Sequence, residues 1–143
     1  MEPRTPLILR WLSNIFFYGY VGLLIIAGGW GVLFGHLDQK LLFNLNTAQL
    51  DAVVASSLIS QYRFLRAIEF GFGMMSFIFR KEIFRERLFN TLFLSTMSLG
   101  VVARGISLII DGSPNGAFYF FAISELIGAI VIFLYSRTTL EPT

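Results

Sequence analysis

The sequence predicts an all-α membrane protein, a polytopic four-helix bundle with both termini in the cytoplasm. Three observations carry this reading. The 143-residue chain is 55% hydrophobic with a mean hydropathy of +0.70, above the apolar share of ordinary soluble domains. Its apolar residues gather in four long runs. Its basic residues flank those runs, so a net charge of +2 and a pI near 9.2 describe membrane edges rather than a nucleic-acid surface.

The first run, residues 11–35, has no charged residue from Trp11 to Gly35. At about 1.5 Å per residue it exceeds the roughly 30 Å hydrocarbon core. "MEPRTPLILR" resembles the basic start of a signal peptide. The apolar run after it is much longer than the roughly 7–15 residues such a peptide carries, so a span is preferred. Residues 36–59 read as the outer loop, with "LLFNL" (41–45) on the bilayer surface or folded back. "NTAQ" (46–49) reads as a capping-box variant that opens a helix leading into span two. Span two, 60–79, ends at "RKEIFRER" (80–87); span three, 88–110, ends at the turn "DGSPNG" (111–116); span four, 117–135, is closed by Arg137. With the N-terminus inside, Arg4, Arg10, Arg80, Lys81, Arg85, Arg87 and Arg137 lie on the cytoplasmic side and only Lys40 outside. That bias sets the orientation, with residues 1–143 forming a single membrane domain.

Five charges fall inside the spans. Counted from the inner boundary, Glu69, Arg66 and Arg63 stand about 16, 21 and 25 Å up span two, Arg104 about 25 Å up span three and Glu125 about 18 Å up span four. Arg63, Arg66 and Glu69 are successive i,i+3 neighbours on one stripe. Three such charges cost an isolated span about 8 to 10 kcal/mol, and its large apolar residues return about 5. Span two should therefore face a bundle interior, with Arg66 paired to Glu69 or Glu125, Arg104 paired to Glu125, and Asp111 forming the mouth of the same polar column two turns beyond Arg104. Three arginines against two glutamates leave a positive excess. That favours an anionic or carbonyl-bearing amphiphile or a lipid as ligand, because the guanidinium fork suits carboxylate and phosphate. The same charges could serve only to lock helices together.

Other features bound the function. There is no cysteine and one histidine, His36, so disulfides, thiolate chemistry, bis-histidine haem and His-rich metal sites are excluded. No catalytic or phosphate-binding motif occurs, and no cofactor, metal or nucleic acid is expected. His36, beside Asp38 at the outer end of span one, reads as a solvated loop histidine. Gly31 and Gly35 form a G-x-x-x-G for close helix packing or a homodimer. Asn14 and Tyr18, one turn apart, would line the inner part of the bundle.

"QYRFLRAIEFGFGMMSF", "GVVARGISLIIDGSPN" and "SELIGAIVIFLYSR" together resemble a bacterial four-helix membrane family described only as a domain of unknown function, loosely similar to the DoxX-like group. The resemblance covers roughly residues 8–137. It rests on Arg63 or Arg66, Gly100, Arg104, Gly105, Asp111, Gly112, Pro114 and Glu125, and it implies a fold and a membrane address rather than an activity. The leading expectation is a non-enzymatic binder of an amphipathic ligand, alone or as a subunit of a larger membrane complex. The alternatives are a small dimeric transporter or channel using Glu69 or Glu125 as an ion or proton site, and an intramembrane isomerase-type enzyme.

Overall fold

The computed structural model describes residues 7–140; Arg4 and both chain ends lie outside the described residues. The all-α expectation holds. In order the helices are α1 (Leu7–Leu33), α2 (Gly35–Phe43), α3 (Ala52–Ile78), α4 (Arg80–Arg85), α5 (Arg87–Ile110) and α6 (Gly116–Ser136), with a single 3-10 turn, Thr47–Gln49, between α2 and α3. No strand occurs among the described residues.

Six helices replace the four expected, because counting apolar length does not register bends in the backbone. Phe34 (φ −117°, ψ 37°) ends α1 and starts α2, so the charge-free run breaks near its C-terminal end. Glu86 (φ −106°, ψ 129°) is extended and divides "RKEIFRER" into the short α4 and the start of α5. The stretch 36–59 is mostly helical rather than a loop. "NTAQ" also works locally: the Asn46 side chain accepts from the Ala48 amide at 3.2 Å and caps only the 3-10 turn. The long helix is capped by Asp51, whose Oδ1 accepts from Val53 N at 2.9 Å and Val54 N at 3.4 Å.

Three helices, α1, α5 and α6, are long and apolar enough to cross a membrane. At most 22% of the most apolar 18-residue stretch in each is buried, so most of that surface is left to its surroundings. The α3 helix is as long as α1 at 27 residues, but each 18-residue stretch of it includes Arg63, Arg66 and Glu69.

The described residues form two compact units. One comprises those up to Tyr20 with those from Ser76 onward; the other is Val21–Met75. In the first, Phe17, Ile83, Phe93, Met97 and Ile132 are buried to within 2% of completeness. Phe17 meets the rings of Phe84 at 5.2 Å and Phe93 at 5.3 Å. The corner between α4 and α5 is tied by buried Asn90, which donates to the Ile83 carbonyl at 2.9 Å and accepts from the Ser136 hydroxyl at 3.4 Å. Between α5 and α6, Gly112 (φ +94°) takes a left-handed conformation that glycine adopts without steric cost. In the second unit, α1 and α3 approach so closely that a Cβ on Gly28 would stand 2.6 Å from Phe70 N and 2.9 Å from the Arg66 carbonyl oxygen.

Candidate functional site

Arg66 lies near the middle of α3, on a helix face that Gly28 and Gly31 allow α1 to approach. Its guanidinium is surrounded by acceptors. Nη2 is 2.9 Å from Asp38 Oδ2, Nη1 donates to Glu69 Oε2 at 2.6 Å, and Nε donates to the Tyr62 hydroxyl at 2.9 Å. Tyr62 in turn donates to Asp38 Oδ2 at 2.5 Å. The Arg66 and Asp38 side chains are 13% and 10% exposed, whereas Glu69 is 39% exposed. The result is a closed network: one cation, two carboxylates and a phenol that bridges two of them.

Arg104 on α5 meets a single acid. Its Nε donates to Glu125 Oε2 at 2.9 Å and its Nη2 to Glu125 Oε1 at 3.2 Å, a two-point fork on α6. The Phe118 and Phe121 rings each lie 6.0 Å from the guanidinium carbon. Gly100, one turn before Arg104, leaves room for the carboxylate: a Cβ there would sit 3.8 Å from Glu125 Oε2. Glu125 is buried, whereas the Arg104 side chain is 34% exposed. Its Nη1 has no acceptor among the described residues.

Of the six candidate residues, Arg66 pairs with Glu69 and Arg104 with Glu125, as expected. Asp111 accepts from the Ser107 hydroxyl at 2.6 Å and is exposed, so its partner is that hydroxyl and not Arg104. Arg63 is exposed, its side chain passes beside Gly35, and it forms no ion pair among the described residues.

Asp38 is the residue missed. It is buried rather than solvated, while its neighbour His36 bonds through Nδ1 to the Thr47 hydroxyl at 2.9 Å. Counting Asp38, the carboxylates equal the arginines in number, three to three, so the positive excess disappears. The signal available was "GHLDQKLLF", nine residues with a helix-length pattern whose acid stands next to the glycine-rich end of α1.

The model of one family, described as Domain of unknown function (DUF4345), matches residues 8–136. The chain belongs to this family. Within the family match lie both charge networks and the turn at Gly112. No curated protein and no solved structure matches the chain.

Proposed function

We propose that this DUF4345 protein is a polytopic protein of the bacterial inner membrane, with both termini cytoplasmic, that holds a carbonyl-bearing amphiphile at Arg104 and Glu125. In this reading α3 is the fourth span. Asp38, Glu69 and Tyr62 neutralise its central arginine, which reduces the cost that charge alone would impose on insertion. Large side chains left exposed on α1, α5 and α6, among them Ile26, Leu99, Ile109 and Phe120, supply a lipid-facing surface.

One observation carries the ligand assignment. Arg104 is held at two points by Glu125 yet remains one-third exposed, with Nη1 still able to donate. The Arg66 guanidinium, 13% exposed and held by Asp38, Glu69 and Tyr62, reads as a helix lock. Because the Arg104–Glu125 pair is formally neutral, a neutral carbonyl such as an ester or quinone oxygen fits it better than a full anion. Phe118 and Phe121 provide apolar contact for the rest of the molecule. The transporter and isomerase readings gain no specific contact, since both oxygens of Glu125 are committed to Arg104.

Gentle extraction followed by mass spectrometry tests the assignment. The wild-type chain is expected to retain a carbonyl-containing amphiphile, and the double variant Arg104→Leu with Glu125→Leu to fold without it, because both charges are removed together. Arg63→Leu should retain it. A folded double variant that carries as much amphiphile as wild type would overturn the reading.

A further inference from the structure

A basic cluster in the first unit uses none of the charges discussed so far. A cavity of about 420 Å³ opens where α4 meets the start of α1 and the end of α6, and Arg80, Lys81 and Arg85 line it. None of the three forms an ion pair among the described residues. Glu82 and Glu86 are their sequence neighbours, yet neither lines the cavity. Asn14, Tyr18 and Tyr135 add an amide and two phenols to the wall, and Phe84 supplies an apolar side through its edge contacts with Phe17 and Tyr135 at 5.2 and 5.5 Å.

We infer that this cavity binds the phosphate group of an anionic headgroup. Three converging cations with hydroxyl and amide donors match the charge and oxygen count of a phosphate ester. The volume lies within the usual range of small-molecule sites, roughly 300–1,000 Å³. On α1 Ile15, one residue from Asn14 and three from Tyr18, is 47% exposed, so apolar surface for an acyl chain adjoins the wall. Basic pockets at the ends of membrane helices use this charge chemistry for acidic headgroups. The site shares no residue with Arg104 and Glu125, so it stands or falls independently of the function proposed above.

The same phosphate chemistry could come from a membrane phospholipid or from free phosphate, and the test separates them. The full chain in neutral detergent is titrated with phosphatidylglycerol or phosphatidylcholine of identical acyl chains, and bound lipid is read by native mass spectrometry. Wild type should prefer phosphatidylglycerol by at least about tenfold, since each basic residue near an acidic headgroup contributes about fivefold. Arg80→Gln with Lys81→Gln and Arg85→Gln should abolish the preference. Arg87→Gln with Arg137→Gln, which removes nearby charge from outside the cavity, should keep it, as should Arg104→Leu with Glu125→Leu. If the triple variant does not fold, each single substitution should lower the preference severalfold. Displacement of lipid by millimolar inorganic phosphate would identify free phosphate as the occupant of the same site; resistance to it would identify the lipid. Equal losses from the cavity set and the outside set, or no preference in wild type together with no phosphate binding, would overturn the inference.

Discussion

Asp38 and Arg66, 28 positions apart, meet at 2.9 Å with both side chains nearly enclosed, and the Tyr62 hydroxyl closes the triangle by donating to the same carboxylate oxygen. A short helix that follows the first long one thus supplies the counter-charge for the most buried cation on α3.

This contact predicts unequal effects for the two acids of the network. Asp38→Asn should lower stability by about 3 kcal/mol, because a nearly buried guanidinium loses an ionic partner. Glu69→Gln, on a side chain 39% exposed, should cost about 1 kcal/mol or less. Thermal denaturation of the purified variants in one detergent gives the comparison, and equal losses would show that Asp38 is no more important than a surface acid.

The glycines of α1 should also divide into two classes. A Cβ at Gly28 meets backbone atoms of α3, so Gly28→Ala should destabilise by about 1 to 3 kcal/mol. At Gly19 nothing lies within 4 Å, and Gly19→Ala should be neutral or stabilising by up to about 1 kcal/mol. The same melting assay reads both, and a tolerant Gly28 would contradict the close approach of α1 to α3.

Asn90 makes a third case. Asn90→Ala leaves the Ile83 carbonyl without its donor inside the protein, at an expected cost of about 2 kcal/mol. Ser136→Ala removes the longer 3.4 Å bond to Asn90 and a 3.0 Å bond to the Phe133 carbonyl, which lies within its own helix, and should cost less than Asn90→Ala. Reversal of that order would show that the α4–α5 corner is held by something other than the asparagine.

Orientation is open to a direct test because the chain has no cysteine of its own. In intact cells an impermeant thiol reagent should label Ala48→Cys and leave Glu86→Cys untouched until the membrane is broken. The opposite pattern would invert the cytoplasmic assignment of both termini.

Much of the helical frame was legible because apolar length and turn chemistry act locally. The ends of α5 and α6 fall within a residue or so of where Arg87, "DGSPNG" and Arg137 place them. The fork from Arg104 to Glu125 was legible for a related reason: each is the only charge within its apolar run, so the two had few other partners. Asp38 was not legible. Its burial depends on a bend at Phe34 and on α2 packing within the second unit, and neither changes the local composition. Asp111 failed in the opposite way: helical spacing put it on the face of Arg104, but a hydroxyl four residues back was nearer than a guanidinium seven residues back.

The two arginines also differ in when their partners exist. Asp38 has already been synthesised when Arg66 emerges, and Glu69 follows three residues later, so that cation meets its acids almost at once. Arg104 precedes Glu125 by 21 residues. At about 5–20 residues per second this is a wait on the order of one to four seconds. During that interval an otherwise apolar helix carries an uncompensated cation. A nascent chain halted there carries a free cation that the finished chain holds against Glu125.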